Sequence, residues 1–136
     1  MCTHKKILLV DDDDDDCMFF TEVLTELEPT LACSIAHNGY EAINQLEKGL
    51  QLPTIIFLDL NMPVMNGFEC LVQIRKTERY KDIPVVVLTT ADDTETRFHA
   101  IDMGANFFLK KASDYNVMKA QMHDVLERDF ATSMVN

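Results

Sequence analysis

Two short, wholly apolar runs each end on aspartate: Ile7-Leu8-Leu9-Val10 runs into Asp11-Asp12, and Ile55-Ile56-Phe57-Leu58 runs into Asp59. A four-residue run with no polar face reads as a strand buried on both sides, which is the mark of a parallel sheet covered by helices. In such sheets ligands bind beyond the carboxyl ends of the strands. The acids therefore fall on the edge where chemistry is done, at a position where an unneeded charge would be costly.

The rest of the chain alternates in the same way. The pattern predicts a first strand over Lys5–Val10, then Cys17, Met18, Phe20, Val23, Leu24 and Leu27 recur at helical spacing until Pro29 closes the segment. A short strand over Leu31–Ala36, a turn at Asn38-Gly39 and a helix over Tyr40–Lys48 follow, ended by Gly49 and Pro53. The third strand is expected over Thr54–Leu58. A loop with Pro63 and Asn66-Gly67 then leads to a helix with Phe68, Leu71, Val72 and Ile74 on one face. Pro84 opens a fourth strand over Val85–Leu88, and Ala91-Asp92-Asp93-Thr94 caps a helix through Met103. Gly104 stops that helix, Asn106–Leu109 is the fifth strand, and a final helix is expected from Ser113 to Phe130. Five βα units predict an α/β fold, a doubly wound five-stranded parallel sheet of order 2-1-3-4-5 (flavodoxin-like) with helices on both faces. In that order strands 1 and 3 flank the point where the winding reverses, so Asp11, Asp12 and Asp59 share a crevice.

The chain of 136 residues, 47% hydrophobic, is read as one domain (1–136) with its own core and no room for an output domain. A formal net charge of -11 argues against nucleic acid or an anionic membrane as partner. The cysteines at 2, 17, 33 and 70 show neither CxxC spacing nor pairing with histidine, so they read as reduced thiols. His4, His37, His99 and His123 show no mutual spacing that suggests catalysis. With no long apolar stretch and no cleavage signal, the expected location is the cytoplasm.

Three carboxylates in one crevice suit Mg²⁺, which takes oxygen ligands, keeps several waters and is commonly shared with phosphate oxygens. A carboxylate can also accept a phosphoryl group as an acyl phosphate. Thr89, ending the fourth strand, and Lys111, following the fifth, would bring a hydroxyl and an ammonium to the same edge. Two other readings compete for the acidic run. Asp14 to Asp16 are read as solvated acids at a helix N-terminus, where they complement the dipole. Asp11, Asp13, Asp15 and Glu22 mimic the spacing of a calcium loop, but Asp16 stands where that loop needs glycine and a strand precedes it.

At these residues the chain resembles the receiver domains of two-component response regulators, in particular the stand-alone kind. The anchors are Ile-Leu-Leu-Val-Asp11-Asp12-Asp13, Phe-Leu-Asp59-Leu-Asn61-Met62-Pro63-Val-Met-Asn-Gly67, Pro84-Val-Val-Val-Leu-Thr89, and Gly104-Ala105 followed by Lys111. The resemblance implies that Asp59 is the phosphoacceptor and that Asp11, Asp12 and Asp59, with the backbone carbonyl of Asn61, hold Mg²⁺. It implies that Thr89 is the switch hydroxyl, Lys111 the lysine that bonds the phosphoryl group, and Phe108 the switch aromatic. The implied partners are a histidine kinase or histidine phosphotransfer protein and an unidentified downstream protein. The implied state is a monomer or a phosphorylation-dependent dimer, and the only catalysis implied is the protein's own phosphorylation and dephosphorylation.

Two departures from the family pattern stand out. Lys111-Ala112 replaces the usual Lys-Pro, leaving the isomer of that bond open and Lys110 as the alternative to Lys111; Phe108 replaces the frequent Tyr, which should bias the ring toward burial. A small residue, Ala91, should leave water access to the phosphoryl group relatively open. The competing functions are a constitutive docking module with a vestigial site and an aspartyl-phosphate phosphatase. The phosphatase would need a second acid where Asn61 stands.

Overall fold

The computed structural model describes residues 6–49, 51–62, 65–90 and 93–128. Five strands alternate with five helices: β1 (Lys6–Val10), α1 (Asp14–Leu27), β2 (Ala32–Ala36), α2 (Gly39–Lys48), β3 (Ile55–Asp59), α3 (Gly67–Lys76), β4 (Val85–Thr89), α4 (Thr94–Asp102), β5 (Phe107–Lys110) and α5 (Tyr115–Leu126). The sheet is parallel throughout, in the order β2-β1-β3-β4-β5. Every residue of β3 and β4 is buried, as central strands covered on both faces require.

Strand side chains alternate between the two faces, so each apolar run feeds two cores at once. Ile7, Leu9, Ile55, Phe57, Val86 and Leu88 pack with Phe20, Val23 and Leu24 of α1 and with Met118, Met122 and Val125 of α5. Leu8, Val10, Ile56, Leu58, Val85, Val87 and Phe108 pack with residues of α2, α3 and α4, among them Leu46, Leu71, Ile74 and Ala100. Each such Leu, Ile or Phe contributes about 1.5–3 kcal/mol by leaving water.

Each of the helices starts on an Asp or Asn cap. Asp13, Asn38, Asn66, Asp93 and Asp114 accept the N–H of Asp16, Glu41, Glu69, Thr96 and Val117, satisfying donors that the first helical turn leaves unpaired. At α3 the cap is reciprocal, with the Glu69 carboxylate accepting the Asn66 N–H at 3.2 Å. Because the strands are parallel, all these helix starts lie on the rim where the strands end.

The opposite rim is held by Arg75. Its guanidinium donates to the carbonyls of Gly104, Lys81 and Ile83 and to Oδ1 of Asn106, at 2.7–3.0 Å. Asn106 Oδ1 also accepts the Val85 N–H at 2.8 Å, so one cluster ties the end of α3 to the starts of β4 and β5. Burial lowers the Arg75 pKa, opposed by the charge of Asp82. Gly104 has φ +111, and a Cβ there would meet the Arg75 side chain at 3.0 Å.

Several sequence expectations change in detail. Helix α1 begins at Asp14, three residues before Cys17, because the Asp13 cap sets its start. Met18 is 61% exposed rather than core, since α1 offers the sheet only the stripe through Cys17, Phe20, Val23 and Leu24. On α3 Cys70 is fully buried, whereas Val72 is only half-buried. Helix α5 begins at Tyr115, after the Asp114 cap, rather than at Ser113. Cys2, His4, Lys5, Pro63, Ala91, Asp92 and Phe130 lie outside the described residues. Among the described residues no helix is long and apolar enough to cross a membrane.

Candidate functional site

Asp11 follows the last residue of β1, and Asp59 is the last residue of β3, the neighbouring strand. Their side chains are buried, with Asp11 at 2% and Asp59 at 3% exposure. One carboxylate oxygen each of Asp11, Asp12 and Asp59 lies within 4.8 Å of the others, with Asp12 the exposed member. The Asp11 backbone continues the ladder to β2 by donating its N–H to Ala36 O at 3.0 Å, which fixes where its side chain emerges. Asp11 Oδ1 accepts the Asp13 N–H at 3.0 Å, so the start of α1 and the acid pocket are built together.

The close approach of α3 completes the floor. A Cβ on Gly67 would lie 2.5 Å from Asp59 O and 2.6 Å from Leu60 Cα, both backbone, while the Gly67 N–H reaches Leu60 O at 3.2 Å. Only glycine admits that approach, and the turn from β3 into α3 depends on it.

Lys111 supplies the cation. Its backbone N–H donates to Thr89 O at 2.8 Å, and its side chain, 14% exposed, turns into the pocket. The ammonium lies 2.8 Å from Asp16 Oδ2, 3.0 Å from Asp11 Oδ2 and 3.5 Å from Asp59 Oδ2. Lys110, the last residue of β5, is exposed, and of the two lysines it is Lys111 that makes the ion pairs of this pocket. Among the described residues there is no cis peptide bond, so Lys111-Ala112 is trans.

The charges explain the titration directions. Burial pushes the Asp59 carboxyl up to about 6, against the pull of the Lys111 ammonium and the Asn61 N–H at 3.1 Å, while the charge of Asp11 raises it further. Burial would lower the Lys111 pKa, but hydrogen bonds to Asp16 and Asp11 and the charge of Asp59 outweigh it and hold the ammonium charged. Cys17, whose Sγ faces Asp11 O at 3.5 Å, is pushed up to about 12 by burial and then by Asp11, so it is a protonated thiol rather than a nucleophile.

Thr89 is buried at the end of β4, and its Oγ1 accepts the Asn61 side-chain amide at 3.3 Å. The sequence pointed to Asn61 for its backbone carbonyl; the amide contact to Thr89 was not foreseen. Asp16 was not foreseen either. Its place among solvated helix-start acids is corrected by the Lys111 contact: Asp14, Asp15 and Asp16 do open α1, but Asp16 also turns toward the pocket. Phe108, two strands away from Asp59 with β4 between, is buried in the α2–α4 core as expected, with the Arg97 guanidinium 5.0 Å from its ring centroid. Above the carboxylates an open cleft of about 340 Å³ is lined by Asp12, Asp59, Asn61, Thr90 and Lys111 among others.

This donor set fits a hard divalent cation. It offers oxygen ligands only, an excess of buried negative charge that one lysine does not cancel, and an open side for water or a phosphoryl oxygen. Sulfur and imidazole ligands are not part of the cluster.

A buried aspartate at the end of a central parallel strand, with paired acids, a strand-end hydroxyl and a lysine around it, makes an acidic, oxygen-lined pocket on a doubly wound sheet. The chain belongs to the response regulator receiver domain family, which its residues 7–130 match. A chemotaxis protein CheY homolog of Campylobacter jejuni is 33% identical over 91 residues, covering 67% of this chain and 69% of that protein. Response regulator Rre1 of Synechocystis is 31% identical over 99 residues, covering 73% of this chain but only 42% of Rre1. In structure, the phosphorylated cyanobacterial phytochrome response regulator RcpA matches with a TM-score of 0.82 at 30% identity, over 92% of this chain and 96% of RcpA. The Mn²⁺-bound form of response regulator Rcp1 matches with the same TM-score at 29% identity and the same coverage. The chain is thus a signalling receiver of the two-component type.

Proposed function

We propose that this receiver accepts a phosphoryl group on Asp59 from a phosphohistidine of a histidine kinase or histidine phosphotransfer protein, in a Mg²⁺-dependent reaction, and thereby changes its binding to a downstream protein. The observation that carries the reading is the Asp59 carboxylate, buried yet open to the cleft, with Asp11 and Asp12 beside it and Lys111 at 3.5 Å. The transfer balances simply: an Asp59 oxygen bonds to phosphorus, the phosphorus–nitrogen bond to the donor imidazole breaks, and the imidazole keeps that electron pair and takes a proton. Asp11, Asp12 and Asp59, with the Asn61 carbonyl, are the residues to hold Mg²⁺, which when bound neutralises charge on the phosphoryl oxygens.

Lys111 and Thr89 then act on the product. The ammonium bonds one phosphoryl oxygen, and the Thr89 hydroxyl, exchanging its Asn61 amide partner, bonds another. The buried Phe108 ring, with the Arg97 guanidinium over it, is the two-position element that closure of Thr89 on the phosphoryl group would bias. A coupling of about 1–3 kcal/mol changes partner affinity several-fold or more. The domain acts in the cytoplasm on no substrate but itself, and is monomeric or dimerises on phosphorylation. The match to RcpA and Rcp1, over 92% of this chain, supports the reading of the domain as a phosphorylation-responsive receiver.

Incubation with acetyl phosphate and Mg²⁺, followed by intact mass, tests this reading. A single base-labile phosphoryl adduct that is absent in Asp59→Asn is expected. No adduct would leave only a docking module with a vestigial site, and turnover of unrelated phosphate esters would make the chain a phosphatase.

A further inference from the structure

Lys111 has three N–H donors and three carboxylates around it, but it does not treat them alike. Two are hydrogen-bonded, Asp16 at 2.8 Å and Asp11 at 3.0 Å; Asp59 Oδ2, at 3.5 Å, is reached by charge alone. Asp16 comes from the first turn of α1, where the Asp13 cap holds the backbone by accepting the Asp16 N–H at 3.0 Å. The Lys111 backbone is pinned to the end of β4. Both ends of the Asp16–Lys111 pair therefore stand on fixed elements.

We infer that Asp16 is a positioning residue for Lys111, drawing the ammonium off Asp59 so that the phosphoacceptor keeps Oδ2 free of a hydrogen bond from Lys111. The inference rests on the reading of Asp59 as phosphoacceptor. Asp59 Oδ1 already accepts the Asn61 N–H, so Oδ2 is the oxygen at issue. A carboxylate oxygen that takes a full hydrogen bond from an ammonium shares its lone-pair density, which weakens it as nucleophile and as metal ligand. Without Asp16, Asp59 is the remaining ion-paired carboxylate that Lys111 does not yet hydrogen-bond, and the ammonium closes on its Oδ2.

The same geometry makes the hold reversible. The Asp16 side chain is 45% exposed, so water solvates it once released, whereas Asp11 is buried and has no such substitute. When a phosphoryl group adds charge at Asp59, Asp16 is the partner that gives Lys111 up. Asp15 carries the same charge one position earlier, yet among the described residues Lys111 pairs with Asp11, Asp16 and Asp59 and not with Asp15. That contrast separates positioning from general negative potential.

The full chain is compared as wild type, Asp15→Ala, Asp16→Ala, Lys111→Met and Asp16→Ala/Lys111→Met. A crystal structure of Asp16→Ala should place the ammonium at hydrogen-bond distance from Asp59, about 2.8–3.0 Å. Calorimetric titration with Mg²⁺ should show affinity weakened about three-fold or more, and adduct formation from acetyl phosphate at fixed Mg²⁺ should slow about five-fold or more. Asp15→Ala should stay within about two-fold of wild type in both, and Asp16→Ala should change neither quantity in the Lys111→Met background. An ammonium still clear of Asp59 in the Asp16→Ala crystal, equal effects of Asp15→Ala and Asp16→Ala, or an Asp16→Ala effect that survives in the Lys111→Met background would each overturn the inference. A wild type that forms no Asp59 adduct removes the proposed function instead, and the crystallographic distance still decides the role of Asp16.

Discussion

Replacing Asp59 by asparagine should make the metal-free protein more stable at neutral pH, and the size of the effect follows from the burial of the carboxylate. Its folded pKa is raised to about 6, chiefly by desolvation, against an ordinary value of 3.8. A shift of about two units corresponds to about 3 kcal/mol, and relaxation around the charge brings a measured effect to about 2 kcal/mol. The sign follows from the direction of the shift. A group with a raised folded pKa contributes fully below its unfolded value and loses that contribution as pH rises through the folded one. Wild type should therefore weaken between about pH 4 and pH 6.5 relative to Asp59→Asn, which has no charge to bury. Urea unfolding of both proteins in EDTA, from pH 3.5 to 8, reads this directly. The stability difference should be near zero at pH 3.5 and reach a plateau above pH 6.5, where thermal scans should differ by roughly 6–10 °C. Saturating Mg²⁺ should shrink or reverse the difference, because the ionised form is the one that binds. A difference that is absent at pH 7.5 in EDTA, or that does not vary with pH, would refute the reasoning.

Other perturbations have separate readouts. Gly67→Ala should cost about 1–3 kcal/mol in urea unfolding, because a Cβ at 2.5 Å from Asp59 O forces the β3–α3 turn apart; adduct formation should fall with it. Arg75→Leu should cost about 3 kcal/mol or more by leaving the Gly104, Lys81 and Ile83 carbonyls and Asn106 Oδ1 short of a donor, while Mg²⁺ affinity by calorimetry stays near wild type. Lys111→Met should destabilise the metal-free protein more at pH 7.5 than at pH 4 in unfolding curves, since the Asp59 carboxyl, pushed up to about 6 by burial, is charged at the higher pH and protonated at the lower. Phe108→Tyr should change the ratio of phosphorylated to unphosphorylated partner affinity, measured by calorimetry, because a hydroxyl draws the ring away from its buried seat beneath Arg97.

The strands and the three acids at their ends were legible because burial on both faces leaves no polar residue in a run until the run is over, so Asp11 and Asp59 mark their own positions. Thr89 and Lys111 were legible as groups at the same edge from their strand-end positions, while their separate roles came only through resemblance, since a lone strand-end hydroxyl or lysine carries little signal. Asp16 was hidden inside six consecutive aspartates of identical chemistry. What singles it out is the phase of α1, set by the Asp13 cap, together with a lysine that is distant in sequence. Met18 was misread for a related reason: helical spacing selects a stripe, and residue 18 falls just beside the one that α1 uses. Arg75 gave no pattern at all, since its partners are backbone carbonyls whose positions only the folded chain defines.

The helix caps and the Arg75 cluster occupy opposite rims of the sheet and its two helical layers, and this divides the molecule for anyone who would re-engineer it. Randomising the Asp and Asn positions that begin the helices perturbs nucleation and ligand chemistry together, so inactive clones from such a library are uninterpretable without a folding assay. Diversity introduced around Arg75, Gly104 and Asn106 affects only whether the chain folds, and survivors from that end report tolerance of the scaffold itself.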